Sequence, residues 1–158
     1  MKTLLILRHG KAVPEDAGTD RERALTGDGK RAVEAVGRAL QKDGLVPDCI
    51  LTSSAVRARD TAHRVASAAD FGGVVEELDE LYLAEPEAYI LALKQRAGGA
   101  ERAMVVGHNP GLEALALILT AEPVSLPTAG LVVCSLPIAS FADLSLGVRG
   151  QMTQLLKS

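Results

Sequence analysis

The sequence predicts an α/β fold in which helices cover both faces of a mostly parallel central sheet. Two observations support this prediction: short apolar runs of β type alternate with segments of helical periodicity, and no internal repeat interrupts that order. The 158 residues suit one domain, so residues 1–158 are expected to form a single unit. In folds of this kind ligands bind beyond the carboxyl ends of the strands, and functional residues are expected there.

Six segments have the composition of strands. Each is a short run rich in apolar residues, and the last, in the tail of the chain, is expected to be an edge strand. The segments are 3–7, 49–52, 74–78, 103–106, 131–136 and part of 145–156. A helix is predicted between most successive runs, and helical crossovers of this kind join parallel strands.

Four helices are predicted between these runs. Apolar residues at helical spacing indicate the first helix over 29–40. Ser53 or Ser54 is predicted to cap the second, and Pro86 suits the first turn of the third. An almost wholly apolar fourth helix is predicted to follow a cap at Asn109.

Composition and charge disfavour several functional classes. The formal net charge of −3 argues against a general nucleic-acid binder, since such domains are usually basic. The apolar run Leu4 to Leu7 is too short for a signal peptide, and no stretch reaches the length of a membrane helix. We therefore expect a cytoplasmic protein without a membrane partner. Cys49 and Cys134 lie in predicted strands and are interpreted as small buried hydrophobic residues.

Three predicted strands end next to residues suited to phosphate chemistry. The first strand ends in Arg8-His9-Gly10, and the second leads to Arg57 in the first turn of its helix. The fourth ends in Gly107-His108-Asn109. Because the carboxyl ends of parallel strands meet at one edge of a sheet, two histidines and two arginines are expected to converge there.

These motifs resemble those of the histidine phosphatase superfamily. Arg8-His9-Gly10 is similar to its R-H-G signature, the segment 53–62 to its second motif and Gly107-His108-Asn109 to its third. Arg23-Ala24-Leu25-Thr26 and the short chain resemble the small SixA-type phosphohistidine phosphatases. The resemblance covers nearly the whole chain and implies a phosphoglycerate mutase-like, three-layer α/β/α sandwich. One departure is Ser54, where relatives often have proline.

The resemblance implies a role for each matching residue. His9 is expected to be the nucleophile, with Arg8, Arg57 and protonated His108 holding the phosphoryl oxygens, and Arg23 reaching back from the first loop. The chemistry agrees, because a neutral imidazole is a competent nucleophile near pH 7. The rigid guanidinium fork matches phosphate oxygens, and phosphoryl transfer depends mainly on positioning and charge stabilisation. No cofactor or metal is expected.

The general acid is the least defined part of the expected site. Larger relatives use an acidic side chain after the third strand, where Glu80 stands in this sequence. Glu80 could equally belong to a solvated turn. Asp20 in the first loop is a competing candidate.

Other phosphate-handling classes fit the sequence less well. A cysteine-based phosphatase needs an arginine six positions after its cysteine, and neither Cys49 nor Cys134 has one. A P-loop needs a glycine where Ala24 stands. A zinc enzyme needs three ligands, and His9 and His108 lack an obvious third at useful spacing.

The predicted function is that of a metal-independent phosphatase with a phosphohistidine intermediate on His9. The expected substrate is phosphohistidine on a protein, such as a histidine phosphotransfer domain. Two alternatives stay open: a small-molecule phosphomonoesterase of the same superfamily and a non-catalytic phosphate-recognition module. A phosphoglycerate mutase shares the signature, but such enzymes are usually longer. The intact His9 argues against the non-catalytic module.

Overall fold

The computed structural model describes residues 1–15 and 18–157. Within this part of the chain, one six-stranded sheet has the order β3-β2-β4-β1-β5-β6. Its strands are β1 Lys2–Arg8, β2 Cys49–Ser53, β3 Val75–Leu78, β4 Arg102–Gly107, β5 Leu131–Leu136 and β6 Gln151–Leu156. The four α-helices are α1 Gly27–Lys42, α2 Val56–Ala68, α3 Pro86–Arg96 and α4 Gly111–Thr120. The predicted order of strands and helices is confirmed.

The sheet is parallel on one side and antiparallel on the other. The pairings β2–β3, β2–β4 and β1–β4 are parallel, whereas β1–β5 and β5–β6 are antiparallel. The cause is the connection after α4, which has no helix and returns the chain to the carboxyl edge of the sheet. Leu131 at the start of β5 therefore pairs with Leu7 at the end of β1.

Helices cover both faces of the sheet. Along β1, Leu5 and Leu7 pack in the apolar cluster that contains α1 and α2, whereas Leu4 and Ile6 pack in the cluster that contains α3 and α4. All four side chains are fully buried. This burial explains why β1 is a continuous apolar run rather than an alternating one, as expected for a strand covered on both faces.

Two predicted helix starts are wrong by one or two residues. Helix α2 begins at Val56, and Ala55 rather than Ser53 or Ser54 is the residue that precedes it; Ser53 still belongs to β2. Helix α4 begins at Gly111, and Pro110 rather than Asn109 is the residue that precedes it. No helix of the described residues is long and apolar enough to cross a membrane.

The start of α1 packs directly against the chain that follows His9. Thr26 caps α1 by accepting a hydrogen bond from the Gly29 amide, and the Thr26 amide donates to the Lys11 carbonyl at 2.9 Å. A Cβ atom on Gly29 would lie 2.2 Å from the Lys11 carbonyl oxygen. Glycine at this position therefore permits a contact that fixes the backbone beside His9.

We predict that Gly29→Ala destabilises the fold although alanine favours helix. The new methyl group overlaps a backbone atom, and overpacking of this kind costs about 1–3 kcal/mol, more than the helix-propensity gain of about 1 kcal/mol. Gly27→Ala is the matched control on the same helix, because its nearest neighbouring atom lies 3.5 Å away. Urea denaturation of both variants checks the prediction, and equal stability of the two would contradict it.

Candidate active site

A cavity of about 420 Å³ opens at the carboxyl edge of β1, β2 and β4. His9 follows β1, Arg57 is in the first turn of α2, and His108 follows β4. Five of the six residues predicted for the site line this cavity, namely Arg8, His9, Arg23, Arg57 and His108. Glu80 does not line it. The structure thus brings the three sequence motifs to one place.

The ring of His9 is held by the backbone in one orientation. Its Nδ1 atom lies 2.8 Å from the carbonyl oxygen of Gly10. Because a carbonyl only accepts hydrogen bonds, Nδ1 carries the proton and Nε2 keeps its lone pair. His9 is buried, with a relative exposure of 7%. This tautomer leaves Nε2 as the basic and nucleophilic nitrogen of His9.

His108 adopts the opposite tautomer. Its Nδ1 atom lies 3.3 Å from Nη2 of Arg57, and its Nε2 atom lies 2.8 Å from the Ser53 hydroxyl oxygen. A guanidinium only donates, so Nδ1 of His108 accepts and Nε2–H donates to Ser53. The His108 amide donates to the Tyr89 hydroxyl at 3.2 Å. The rings of His9 and His108 are 5.3 Å apart between centroids.

Burial keeps both imidazoles neutral near pH 7. Desolvation, the largest cause, acts with the nearby arginines to lower the pKa of His9 to about 4, against the opposing hydrogen bond to Gly10. Desolvation, His9 and Arg57 together lower the pKa of His108 to about 3. The structure therefore differs from the expectation of a protonated His108, because the buried cationic surroundings destabilise an imidazolium there. Neutral His9 is the form that a nucleophile requires.

Arg57 is almost fully buried and is fixed on both sides. Its Nη1 atom donates to the carbonyl oxygen of Asp20 at 2.7 Å, and its Nη2 atom lies 3.1 Å from the Asp20 carboxylate. The backbone of Arg57 is also held in place. The Thr61 hydroxyl donates a hydrogen bond to the Arg57 carbonyl and accepts one from the Gly10 amide at 3.0 Å. One hydroxyl thus connects the helix that carries Arg57 to the residue after His9.

Asp20 joins the site as an ionised carboxylate. It accepts hydrogen bonds from the Tyr82 hydroxyl, from Nη1 of Arg23 at 3.0 Å and from Arg57. These bonds, led by that from Tyr82, lower the pKa of Asp20 to about 2. In this arrangement Asp20 is a poor proton donor at neutral pH and a good partner for the arginines. Arg23 reaches the cavity from the first loop through this contact.

The structure places Glu80 outside the site. It is exposed in the short 3₁₀ turn Asp79–Leu81, at the end of β3 and away from the cavity lining. Sequence reasoning missed Tyr82, two residues further on. Its ring meets that of His108 edge to face at 5.6 Å between centroids. The signal in the sequence was weak: Tyr82 is one of two tyrosines in the chain.

Arg8 is anchored at the opposite wall of the cavity. Its Nη1 atom donates to the Leu126 carbonyl at 3.0 Å, which also accepts from Nδ2 of Asn109. The Leu126 amide donates to Glu113 at 2.7 Å. The Nε atoms of Arg8 and Arg57 are buried without a hydrogen-bond partner among the described residues. Buried donors without a partner are uncommon in folded proteins.

The described residues contain no group of three or more histidine, cysteine, aspartate or glutamate side chains that could hold a metal ion. The cations that line the cavity are three guanidinium groups and the ammonium group of Lys11. Arg8, Arg23 and Arg57 all line the cavity, and guanidinium groups keep their charge at neutral pH. The arrangement can bind and stabilise a multiply charged anion beside Nε2 of His9.

Comparison with known proteins identifies the relatives of this chain. The profile of the histidine phosphatase superfamily (branch 1) matches residues 4–89. An uncharacterised protein of a Picosynechococcus strain is 34% identical over 136 residues, which cover 82% of each chain. The profile match covers more than half of the chain and confirms the superfamily that the motifs predicted.

Two solved structures are similar over almost the whole chain. A candidate phosphohistidine phosphatase SixA from Agrobacterium tumefaciens superposes with a TM-score of 0.83 at 28% identity, over 99% of this chain and 98% of that one. A mycobacterial glucosyl-3-phosphoglycerate phosphatase shares the fold, with a TM-score of 0.72 at 17% identity over 99% of each chain. The predicted phosphoglycerate mutase-like sandwich and the resemblance to SixA are confirmed.

The buried histidines predict a stability that falls in acid. Both pKa values are lower in the folded state than the reference of about 6.5, so unfolding takes up protons below that pH. We expect the free energy of unfolding to fall between pH 7 and pH 5 by roughly 2 kcal/mol for each histidine. Urea denaturation at the two pH values measures the loss.

Matched variants assign this pH dependence to the site. His9→Gln should remove part of it, whereas His63→Gln, which changes an exposed histidine on α2, should leave it intact. An identical pH dependence in both variants would show that buried His9 is not its source.

Proposed function

Because the chain belongs to branch 1 of the histidine phosphatase superfamily, we propose that it hydrolyses phosphohistidine on a protein through a phosphohistidine formed on its own His9. Family membership and the phosphatases among its structural relatives support a phosphatase. The observation that carries the proposal is the tautomer of His9, whose Nδ1–H is bound to the Gly10 carbonyl and whose Nε2 is the free nucleophilic nitrogen at the cavity.

The proposed reaction has two steps. The Nε2 lone pair of His9 attacks the phosphorus atom, the bond from phosphorus to the substrate imidazole breaks, and that imidazole leaves with a proton taken from solvent. Water then attacks the phosphohistidine, inorganic phosphate departs, and the Nε2 lone pair of His9 is restored. The protein substrate suited to this chemistry is of the histidine phosphotransfer type.

The guanidinium groups supply the charge that the transfer requires. The transferring phosphoryl group spreads negative charge over three equatorial oxygens. Arg8 and Arg57 enter the cavity from two different elements, and Arg23 enters it from the first loop. Their positions are fixed before a ligand binds, which is the condition for efficient electrostatic stabilisation. Neutral His108 contributes no further positive charge, and its ring nitrogens bind Arg57 and Ser53.

The two acids predicted from the sequence are poorly placed to protonate an alkyl leaving group, which favours a phosphoramidate over an alkyl ester. An alkoxide is a strongly basic leaving group and needs a proton donor in the transition state. Asp20 is ionised and Glu80 lies outside the cavity, so neither is a suitable donor in this arrangement. Imidazole is a much weaker base than an alkoxide and departs readily once protonated. The site therefore suits phosphohistidine better than a sugar phosphate.

We predict that His9→Ala abolishes turnover and phosphoenzyme formation. Loss of a covalent nucleophile should lower kcat by at least about a thousandfold, while the circular dichroism spectrum stays that of the folded protein. Acid-labile phosphate trapped on the wild type and absent from the variant identifies the intermediate. His63→Ala is the control. Undiminished turnover by His9→Ala would refute the proposed mechanism.

We predict that turnover needs no divalent metal ion. In other phosphoryl-transfer sites a metal ion neutralises the charge that develops in the transition state. Here the guanidinium groups that line the cavity would do so, namely those of Arg8, Arg23 and Arg57. Steady-state rates should be unchanged after exhaustive chelation and dialysis. A rate that disappears with chelator and returns with magnesium, manganese or zinc would show that a metal takes part.

We predict a preference for phosphohistidine over sugar phosphates. The measurement is kcat/KM for a phosphorylated histidine phosphotransfer domain beside kcat/KM for a panel of sugar phosphates. The phosphoprotein should be favoured by at least about tenfold, or 1.4 kcal/mol in transition-state binding. The opposite preference of similar size would assign the chain to small phosphate esters and leave the role of His9 in place.

A further inference from the structure

Leu83 adopts a backbone conformation that is unfavourable for its side chain. It directly follows Tyr82, between β3 and α3, and has a φ of +49°. Leucine rarely occupies this left-handed region, because its Cβ atom crowds the backbone. Its relative exposure is 55%, so burial in the core does not offset the strain. Strained residues that are not required by the core occur often at binding sites.

Leu83 stands between two adjoining concavities. On one side it lines the cavity that contains His9, and on the other it lines a groove of about 310 Å³. The groove is mainly apolar and has the carboxylate residue Glu85 in its lining. Its apolar residues are Leu83, Ala84, Pro86, Pro110 and Ala114. Leu83 lines both concavities, so a ligand that occupies the cationic cavity and the apolar groove at once can lie against it.

The groove is formed without a ligand. A Cβ atom on Gly111 would lie 1.9 Å from the Ala84 carbonyl oxygen, so glycine lets the start of α4 contact the segment before α3 directly. Pro86 and Pro110 stand at the starts of the two helices and have restricted backbone freedom. A preorganised surface of this kind binds with little entropy lost in ordering the protein.

We propose that Leu83 and this groove bind an apolar side chain of the phosphorylated protein while the phosphoryl group lies beside His9. The proposal rests on the proposed function and names the feature of the protein substrate that is recognised. Residues three or four positions apart on a helix lie on the same side, with Cβ atoms about 5–6 Å apart. A helix that carries phosphohistidine can thus present an apolar neighbour next to it, which a sugar phosphate lacks.

Leu83→Asn tests the proposal without adding strain. Asparagine accepts the left-handed region better than leucine, so the variant should be at least as stable to heat as the wild type. The substrates are a chemically phosphorylated histidine phosphotransfer domain and free phosphoramidate. We expect kcat/KM for the phosphoprotein to fall about tenfold, mainly through KM, and to fall at least fivefold more than kcat/KM for phosphoramidate.

Two further variants separate the groove from general effects. Leu91→Asn is the matched control, because Leu91 is 54% exposed on α3 and lines neither concavity. It should leave both rates within about twofold of the wild type. Ala114→Gln fills the groove from α4 with a good helix former and should reproduce the selective loss on the phosphoprotein.

Three other results would contradict the docking proposal or the proposed function. Equal losses on both substrates, or an equal loss on phenyl phosphate, would make Leu83 a wall of the catalytic cavity and not a docking residue for protein. Unchanged rates in both Leu83→Asn and Ala114→Gln would refute docking in the groove without contradicting the proposed phosphohistidine phosphatase activity. A wild-type protein that turns over phosphoramidate but not the phosphoprotein would refute the proposed substrate and the docking surface together.

Discussion

The parallel register between β1 and β4 determines the whole arrangement of the site. Arg8 pairs with Gly107, and the His9 amide donates to the Gly107 carbonyl at 3.2 Å. The residues that follow each strand are His9 and His108, so this register alone brings the two rings to 5.3 Å. A shift of one residue would turn every side chain of β1 to the opposite face and separate the motifs.

Burial of His9 and His108 disfavours their protonated forms, and the neighbouring charges disfavour them further. Desolvation and neighbouring guanidiniums both act against a protonated ring, so the site holds two neutral imidazoles among cations. The hydrogen-bond partners then fix the tautomers: the Gly10 carbonyl accepts from Nδ1–H of His9, and the Arg57 guanidinium donates to Nδ1 of His108. The same cause that lowers acid stability therefore keeps Nε2 of His9 nucleophilic.

Sequence reasoning succeeded where one strand and its next residues determine a position. His9, Arg57 and His108 were predicted at one edge because each follows a recognisable apolar run. It failed for contacts made between loops: Tyr82 and Asp20 meet 62 positions apart, and no local pattern encodes such a contact. The direction of β5 and the partner of Ser53 were also missed, because both depend on where a distant segment lies.

Asp20 shows why such a cationic site needs an internal anion. Arg23 and Arg57 bind one carboxylate, which keeps their like charges from repelling each other without compensation. A phosphoryl group bound by the same guanidiniums competes with that carboxylate for their donors. Arg8 stands outside this competition, because its Nη1 atom donates to the Leu126 carbonyl at 3.0 Å rather than to a carboxylate.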